Sequence, residues 1–322
     1  LEEYASAGIG SVEITPIYGV QKNGANEIPF LSEKWMNMLS FTQATNNRVG
    51  IQTDMNTGTG WPFGGPEVSV EDAASKLVVR EYVVKGGELF TETIVPKEKD
   101  QQKAKLLRVM AFSKKRVLNL TKLVAADHKL SWKVPKGEWT IIAAFNGKTF
   151  QMVKRAAPGG EGYVMDHFSR KAVGNYFSRF EKAFAANNTA YPHNFFNDSY
   201  EVYGADWTED FFEQFQQRRG YKLEDHLPAF LAIERTDETA RLVSDYRETM
   251  AELLLENFTQ QWTNWAHARG SKTRNQAHGS PGNLIDLYAT VDVPECEGFG
   301  LSNFGIKGLR TDSNKSKNDS EL

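Results

Sequence analysis

Apolar and polar positions change rhythm twice along the chain. The first segment opens with a short helical stretch, LEEYASA, which stops at Gly8. The apolar run Gly10-Ser11-Val12-Glu13-Ile14 follows, with Pro16 and Gly19 as breakers, and predicts a buried strand. After a polar loop, Ser32 is placed to cap a helical run from Glu33 to about Asn46, and Arg48–Asp54 reads as a second strand. Helix alternating with buried strand is the pattern of a parallel α/β framework.

From Pro66 to Val153 the rhythm shortens. LVVREYVV, GGELFTETIV, KLLRVMAFS, VLNLTKLV, HKLSWKVP and EWTIIAAF are β-type runs separated by glycine, lysine and proline turns, the pattern of an antiparallel module inserted into the α/β frame. Helical periodicity returns near Phe168 with KAVGNYFSRFEKAFAA. The apolar HNFFNDSYE, further helices over TEDFFEQFQQRRG and ETARLVSDYRETMAELLLENFTQQWTNWAHARG, and the strand-like KTRNQAH and ATVDVPECEG complete the chain. The expected organisation is residues 1–66 as the first part of an α/β domain, 67–153 as the insertion and 154–322 as its continuation. No internal repeat of fixed period is present. The chain opens inside a helix without methionine and closes on the polar SNKSKNDSEL, so both ends are expected to continue into a longer protein.

Composition narrows the function classes. Of 322 residues, 38 are basic and 41 acidic, and a net charge of −3 carries no overall footprint for nucleic acid or an anionic membrane. The single cysteine, Cys296, excludes an intrachain disulfide framework and a cysteine-based zinc site. No apolar run is long enough to cross a bilayer, and no export signal is visible. Aromatic residues make up 12% with seven Trp, which is compatible with sugar binding.

Candidate chemistry collects where predicted strands end, because parallel α/β folds work at the C-terminal ends of their strands. Asp54, Asn56 and Trp61 lie in the glycine-dense loop DMNTGTGWPFGGP, which alternatively serves only to launch the insertion. Phe195-Phe196 runs into Asn197-Asp198-Ser199-Tyr200-Glu201. Asp198 or Glu201 could cap the next helix, but Thr208 fills that role better, which leaves Glu201 for a site. Asn275, Gln276 and His278 form a third cluster, with His278 either a structural histidine or a group for substrate hydroxyls. Glu295 and Glu297 flank Cys296 and, by strand alternation, face one side. Two carboxylates across a pocket are what glycosidic bond cleavage requires, one protonated and one ionised.

The stretches DMNTGTGWPFGGP (Asp54–Pro66), APGGEGYVMDHFS (Ala157–Ser169), FNDSYEVYGADWT (Phe196–Thr208), SDYRETMAELLLENF (Ser244–Phe258), TRNQAHGSPGNLIDLYA (Thr273–Ala289) and PECE resemble glycoside hydrolase family 106, the α-L-rhamnosidases. The resemblance implies a TIM-type (β/α) barrel, here incomplete and carrying the antiparallel insertion, and inverting hydrolysis of terminal α-linked L-rhamnose from oligo- or polysaccharides. It implies a calcium ion, for which Asn197, Asp198 and Glu295 are the candidate ligands. It places Glu201 as general acid and Glu297, or Glu295, as the second carboxylate, with Asp54, Asn56, Trp61, Asp166, His167, Asn275, Gln276 and His278 on the substrate. Family members are commonly exported, so a periplasmic or extracellular location is expected. Two departures stand out: a further strand with a Ser-Ser-Glu site is expected beyond GLRTD, and Cys296 occupies a threonine-like position. The competing readings are a carbohydrate-binding protein without turnover and a TIM-barrel glycosidase for another sugar.

Overall fold

Five parallel strands stand side by side in chain order: β1 (Ser11–Ile14), β2 (Gln52–Asn56), β3 (Asn194–Asn197), β4 (Lys272–Asn275) and β5 (Val293–Pro294). They belong to a computed structural model that describes residues 1–20, 22–234 and 236–296. Helices Glu33–Val49, Arg170–Ala186, Gln260–His267 and Leu284–Ala289 each lead into the next strand. The first begins as its sequence predicts, with the Ser32 hydroxyl accepting from the Trp35 amide at 3.3 Å. It ends later than predicted. Arg48 and Val49 are still helical, Gly50 closes the helix in the left-handed region at φ +77°, and the strand starts at Gln52. A glycine C-cap lets the apolar Val49 finish a helix instead of opening a strand.

Strand alternation divides the sheet's side chains. Thr53, Met55, Phe195 and Thr273 point one way: Asn46 of the first helix donates to Thr53 Oγ1 at 2.7 Å, Thr263 and Thr273 hydroxyls are 3.3 Å apart, and Phe195 lies 5.0 Å from Trp265. Ser11, Glu13, Asp54, Asn56, Asn194, Phe196 and Arg274 share the other face, as the register pairs them. One face is therefore the helix-covered core and the other is mostly polar, which is the face that matters for chemistry. The helix-side core is strongly aromatic, with Phe177 stacked on Trp265 at 4.7 Å and Phe184 on Tyr191 at 4.5 Å. A π-helical segment, Leu254–Thr259, precedes the Gln260–His267 helix.

The α/β fold expected from the sequence is present as this five-stranded parallel sheet. The chain divides into two compact units, one of residues 1–72, 151–202 and 254 onward, the other of Ala73–Phe150 with Tyr203–Leu253. In the second unit, strands Ser75–Lys85, Glu138–Lys148, Lys105–Ser113 and Arg116–Asn119 form one antiparallel sheet, and Leu89–Thr93 pairs with Lys129–Lys133. Val109, Leu130, Trp139, Ile141 and Ala143 are the centre of its core. Within this unit the Tyr203–Leu253 segment is held to the sheet by Asp206, which accepts from the Leu77 amide at 2.8 Å, and by Arg108, paired with Glu213 and Glu224. Among the described residues no helix is long and apolar enough to cross a membrane.

Candidate active site

The polar face of the parallel sheet is cross-tied before any ligand is considered. Asp54 accepts from Ser11 Oγ at 2.9 Å and from the amide and side chain of Asn194 at 3.1 and 3.0 Å, with His193 Nδ1 3.6 Å away. It is 6% exposed, so this carboxylate joins β1, β2 and β3. Arg274 pairs with Glu13 on one side and with Glu295 at 3.0 Å on the other, while its guanidinium lies 4.4 Å over the Phe196 ring. Such a planar, permanently charged fork fixes two carboxylates and one ring at once.

Beyond β2 the chain is shaped by close approach. A Cβ on Gly60, whose φ is +60°, would stand 1.8 Å from the Lys154 carbonyl oxygen. Only glycine lets Trp61 exchange backbone hydrogen bonds with Lys154, at 3.2 and 2.9 Å. The Trp61 ring has the Lys154 ammonium at 5.9 Å and the Arg155 guanidinium at 5.5 Å from its centroid, so cations already contact the surface that the sequence offers to a sugar. Asn56 is fully buried, and neither atom of its amide has a hydrogen-bond partner among the described residues.

The loops after β3, β4 and β5 bring carboxylates and amides together. Burial raises the Asp198 carboxyl above its ordinary value. The charges of Glu201 and Glu295 push the same way, against the Ser199 amide and His278, which lower it. Asp198 thus has Glu201, Glu295 and His278 as electrostatic neighbours. Glu201 pairs with Lys154, and its carbonyl accepts from Gln151 at 2.7 Å. The Asn197 amide donates to Asn275 Oδ1 at 2.7 Å, Gln276 donates to Glu295 Oε1 at 2.7 Å, and the His278 carbonyl accepts from the Tyr200 amide at 3.2 Å. The Tyr200 hydroxyl, Trp61 Nε1 and Gln276 Oε1 are buried without a hydrogen-bond partner among the described residues. Buried polar atoms are nearly always satisfied, which sets these three apart from their hydrogen-bonded neighbours.

Asp166 and His167 are placed differently. Asp166 accepts from the Phe168 amide at 2.9 Å and is 3% exposed. His167 is 2% exposed, donates from Nδ1 to the Met165 carbonyl at 2.9 Å, and packs edge-on against Phe258 at 4.6 Å and Tyr200 at 5.3 Å. Burial pushes this imidazole down to about 4, so it is neutral. Both residues support Tyr200 from behind: the ring contact comes from His167, and the Asp166 charge joins burial in raising the Tyr200 phenol. Glu297 lies outside the described residues. Sequence reasoning missed Glu13, Lys154, Tyr200 and Arg274. Tyr200 sits inside the NDSYE cluster, where an aromatic between polar groups was a usable signal; the other three act through partners distant in the chain.

A calcium ion would need six to eight oxygens at roughly 2.3–2.6 Å. Glu295 has one oxygen on Arg274 and the other on Gln276, while Asn197 is tied to Asn275. Among the described residues no three carboxylate, imidazole or thiolate side chains converge as a metal group. Of the three expected ligands Glu295 thus has both oxygens engaged within the protein, and no chemical step is derived through a calcium ion.

Carboxylates, amides and buried hydroxyls thus collect at the C-terminal ends of the parallel strands, where α/β folds place their functional groups. The sequence pattern of glycoside hydrolase family 106, described as alpha-L-rhamnosidase, matches residues 1–103 and 94–318, and the chain belongs to this family. A protein of Formosa agariphila that carries the provisional name beta-glucuronidase is 28% identical over 319 residues, covering 85% of this chain and 27% of that protein. The structure of a rhamnosidase from Novosphingobium sp. PP1Y is similar in fold, with a TM-score of 0.75 at 16% identity, over 90% of this chain and 46% of that one. The chain thus spans about half of the rhamnosidase and about a quarter of the Formosa protein.

Proposed function

We propose that this chain carries the acid–base centre of an inverting α-L-rhamnosidase that removes terminal α-linked L-rhamnose from glycans, on a TIM-type barrel. The observation that carries the reading is Asp198 at a strand end with both Glu201 and Glu295 as electrostatic neighbours and with Gln276 hydrogen-bonded to Glu295. The barrel reading is supported by five parallel strands adjacent in chain order and by Glu13 on β1 reaching Arg274 on β4. Across a flat sheet, three strand spacings of about 4.8 Å would separate them by roughly 14 Å, with side chains standing upright, so contact requires the sheet to curl around its polar face.

In the proposed reaction one carboxylic acid gives its proton to the glycosidic oxygen as the bond from that oxygen to the anomeric carbon breaks. The second carboxylate takes a proton from a water that attacks the opposite face of the sugar. Glu201 is assigned the proton and Glu297 the water. Glu295, gripped by Arg274 and Gln276, acts as a fixed acceptor for substrate hydroxyls. Inversion requires the two working carboxylates to be roughly 6.5–9.5 Å apart.

Turnover of aryl α-L-rhamnosides by the chain and by Glu201→Gln and Glu297→Gln tests the assignment. Loss of a general acid or base costs about 10²–10⁴ in rate. The Glu201 variant is expected to recover on a dinitrophenyl leaving group, which needs no proton, and the Glu297 variant is not. Proton NMR of the first-formed rhamnose should show the β anomer. Cleavage of aryl β-glucuronide in place of rhamnoside would overturn the sugar assignment.

A further inference from the structure

Two neighbouring turns of the antiparallel module are crowded with cations. Lys114, Lys115 and Arg116 form the turn between the Lys105–Ser113 and Arg116–Asn119 strands, and Lys136 occupies the turn before the Glu138–Lys148 strand. All four are exposed, and none has an ion-pair partner among the described residues. They line one open cleft of about 400 Å³. Its single carboxylate is Glu138, which stands opposite Lys85 in the antiparallel ladder, so four cations face one acid. A net charge of −3 over the whole chain conceals this local excess.

The cleft has a rigid floor and an apolar extension. Gly86 and Gly87 donate to the carbonyls of Gly137 and Val134 at 2.7 and 2.9 Å, and a Cβ on Gly86 would stand 2.4 Å from Gly137 N and Pro135 O. The Lys136 turn is locked against its neighbour, and its charge is presented on fixed backbone. Ser113, Lys114, Glu138 and Trp139 also line a second cleft of about 780 Å³, where Glu81 and Lys85 add one charge of each sign and where Val83 is 84% exposed and Ile233 96% exposed. Cations at one end and aliphatic surface at the other suit a chain of sugar rings, whose acidic substituents meet the former and whose C–H faces meet the latter. A lone small anion would leave most of this space unused, since 400 Å³ already lies within the roughly 300–1,000 Å³ of ligand sites. Single-stranded nucleic acid would want exposed rings to stack on, and Trp139 is 2% exposed.

We propose that this double cleft is a binding site for an anionic oligosaccharide, one whose rings carry carboxylate or sulfate groups. Its glycan identity rests on family membership. The site shares no residue with the acid–base centre, and its test requires no turnover.

Affinity electrophoresis of the intact chain in native gels containing polygalacturonate, dextran sulfate or uncharged dextran tests it. Retardation is expected with one or both anionic polymers and not with dextran. Polygalacturonate alone would assign carboxylate, dextran sulfate alone sulfate. The variant Lys114→Ser/Lys115→Ser/Arg116→Ser/Lys136→Ser should bind about tenfold or more weakly with an unchanged circular-dichroism melt. If that variant melts early, Lys114→Glu/Lys136→Glu decides, with loss of retardation supporting the site and full retention overturning it. No retardation by either anionic polymer, equal retardation of a folded variant, or equally tight binding of duplex DNA would each overturn the proposal.

Discussion

His167 shows what burial does to a residue whose type suggests chemistry. Its imidazole is neutral down to about pH 4, whereas in the unfolded chain it titrates near 6.5. Between those values the unfolded state binds more protons, so stability falls as pH is lowered through this window, by roughly 3 kcal/mol in all and about 2 kcal/mol by pH 5. Urea unfolding at pH 7 and pH 5 should therefore show a larger loss for the native sequence than for His167→Phe, which keeps a ring against Phe258. Equal losses would mean that His167 does not stay neutral in the folded chain. Residue type placed Asp54, Asp166 and His167 among the sugar-binding groups, and in the folded chain all three are buried and hydrogen-bonded to neighbouring residues. Asn56, Asn197 and Asn275 each close a parallel strand, and of these Asn56 was read in the loop, because the strand was expected to end two residues earlier at Asp54. Arg274 was not legible as a hub, because its partners Glu13 and Glu295 are on other strands and nothing local announces them.

At the scale of elements, two glycines with similar backbone angles separate conformational cost from steric cost. Gly50 caps a helix at φ +77° with nothing near its missing Cβ, and Gly50→Ala should cost about 1 kcal/mol. Gly60, at φ +60°, would drive a Cβ into the Lys154 carbonyl, and Gly60→Ala should cost several-fold more, about 3 kcal/mol or above. The difference between their urea midpoints is the measurement, and similar midpoints would show that the segment around Lys154 yields without cost. Gly50 also explains the misread strand start. Gly50 is a stop signal written in the sequence, but whether Arg48–Val49 end a helix or begin a strand depends on the Asn46–Thr53 hydrogen bond, which exists only once the helix has folded onto β2.

At the scale of the molecule, the antiparallel grammar of residues 67–153 was readable because each run alternates and each turn contains glycine, lysine or proline. Its grouping with Tyr203–Leu253 was not readable, since helices of that segment carry the same periodicity as those beside the parallel strands. The physical basis of the grouping is polar and local: the Leu77 amide on Asp206, and Arg108 between Glu213 and Glu224. Two cores follow, one built from Val109, Trp139 and Ile141, the other from Phe195, Trp265 and Phe177. Truncating one fully buried aliphatic residue leaves a cavity worth about 2–5 kcal/mol, and that loss should be felt first by the core containing it. Ile141→Ala is accordingly expected to speed amide hydrogen exchange in peptides from 105–113 and 138–148 while peptides covering β2 and β3 exchange as before. Uniform acceleration across both sets would mean that the two cores open as a single cooperative unit.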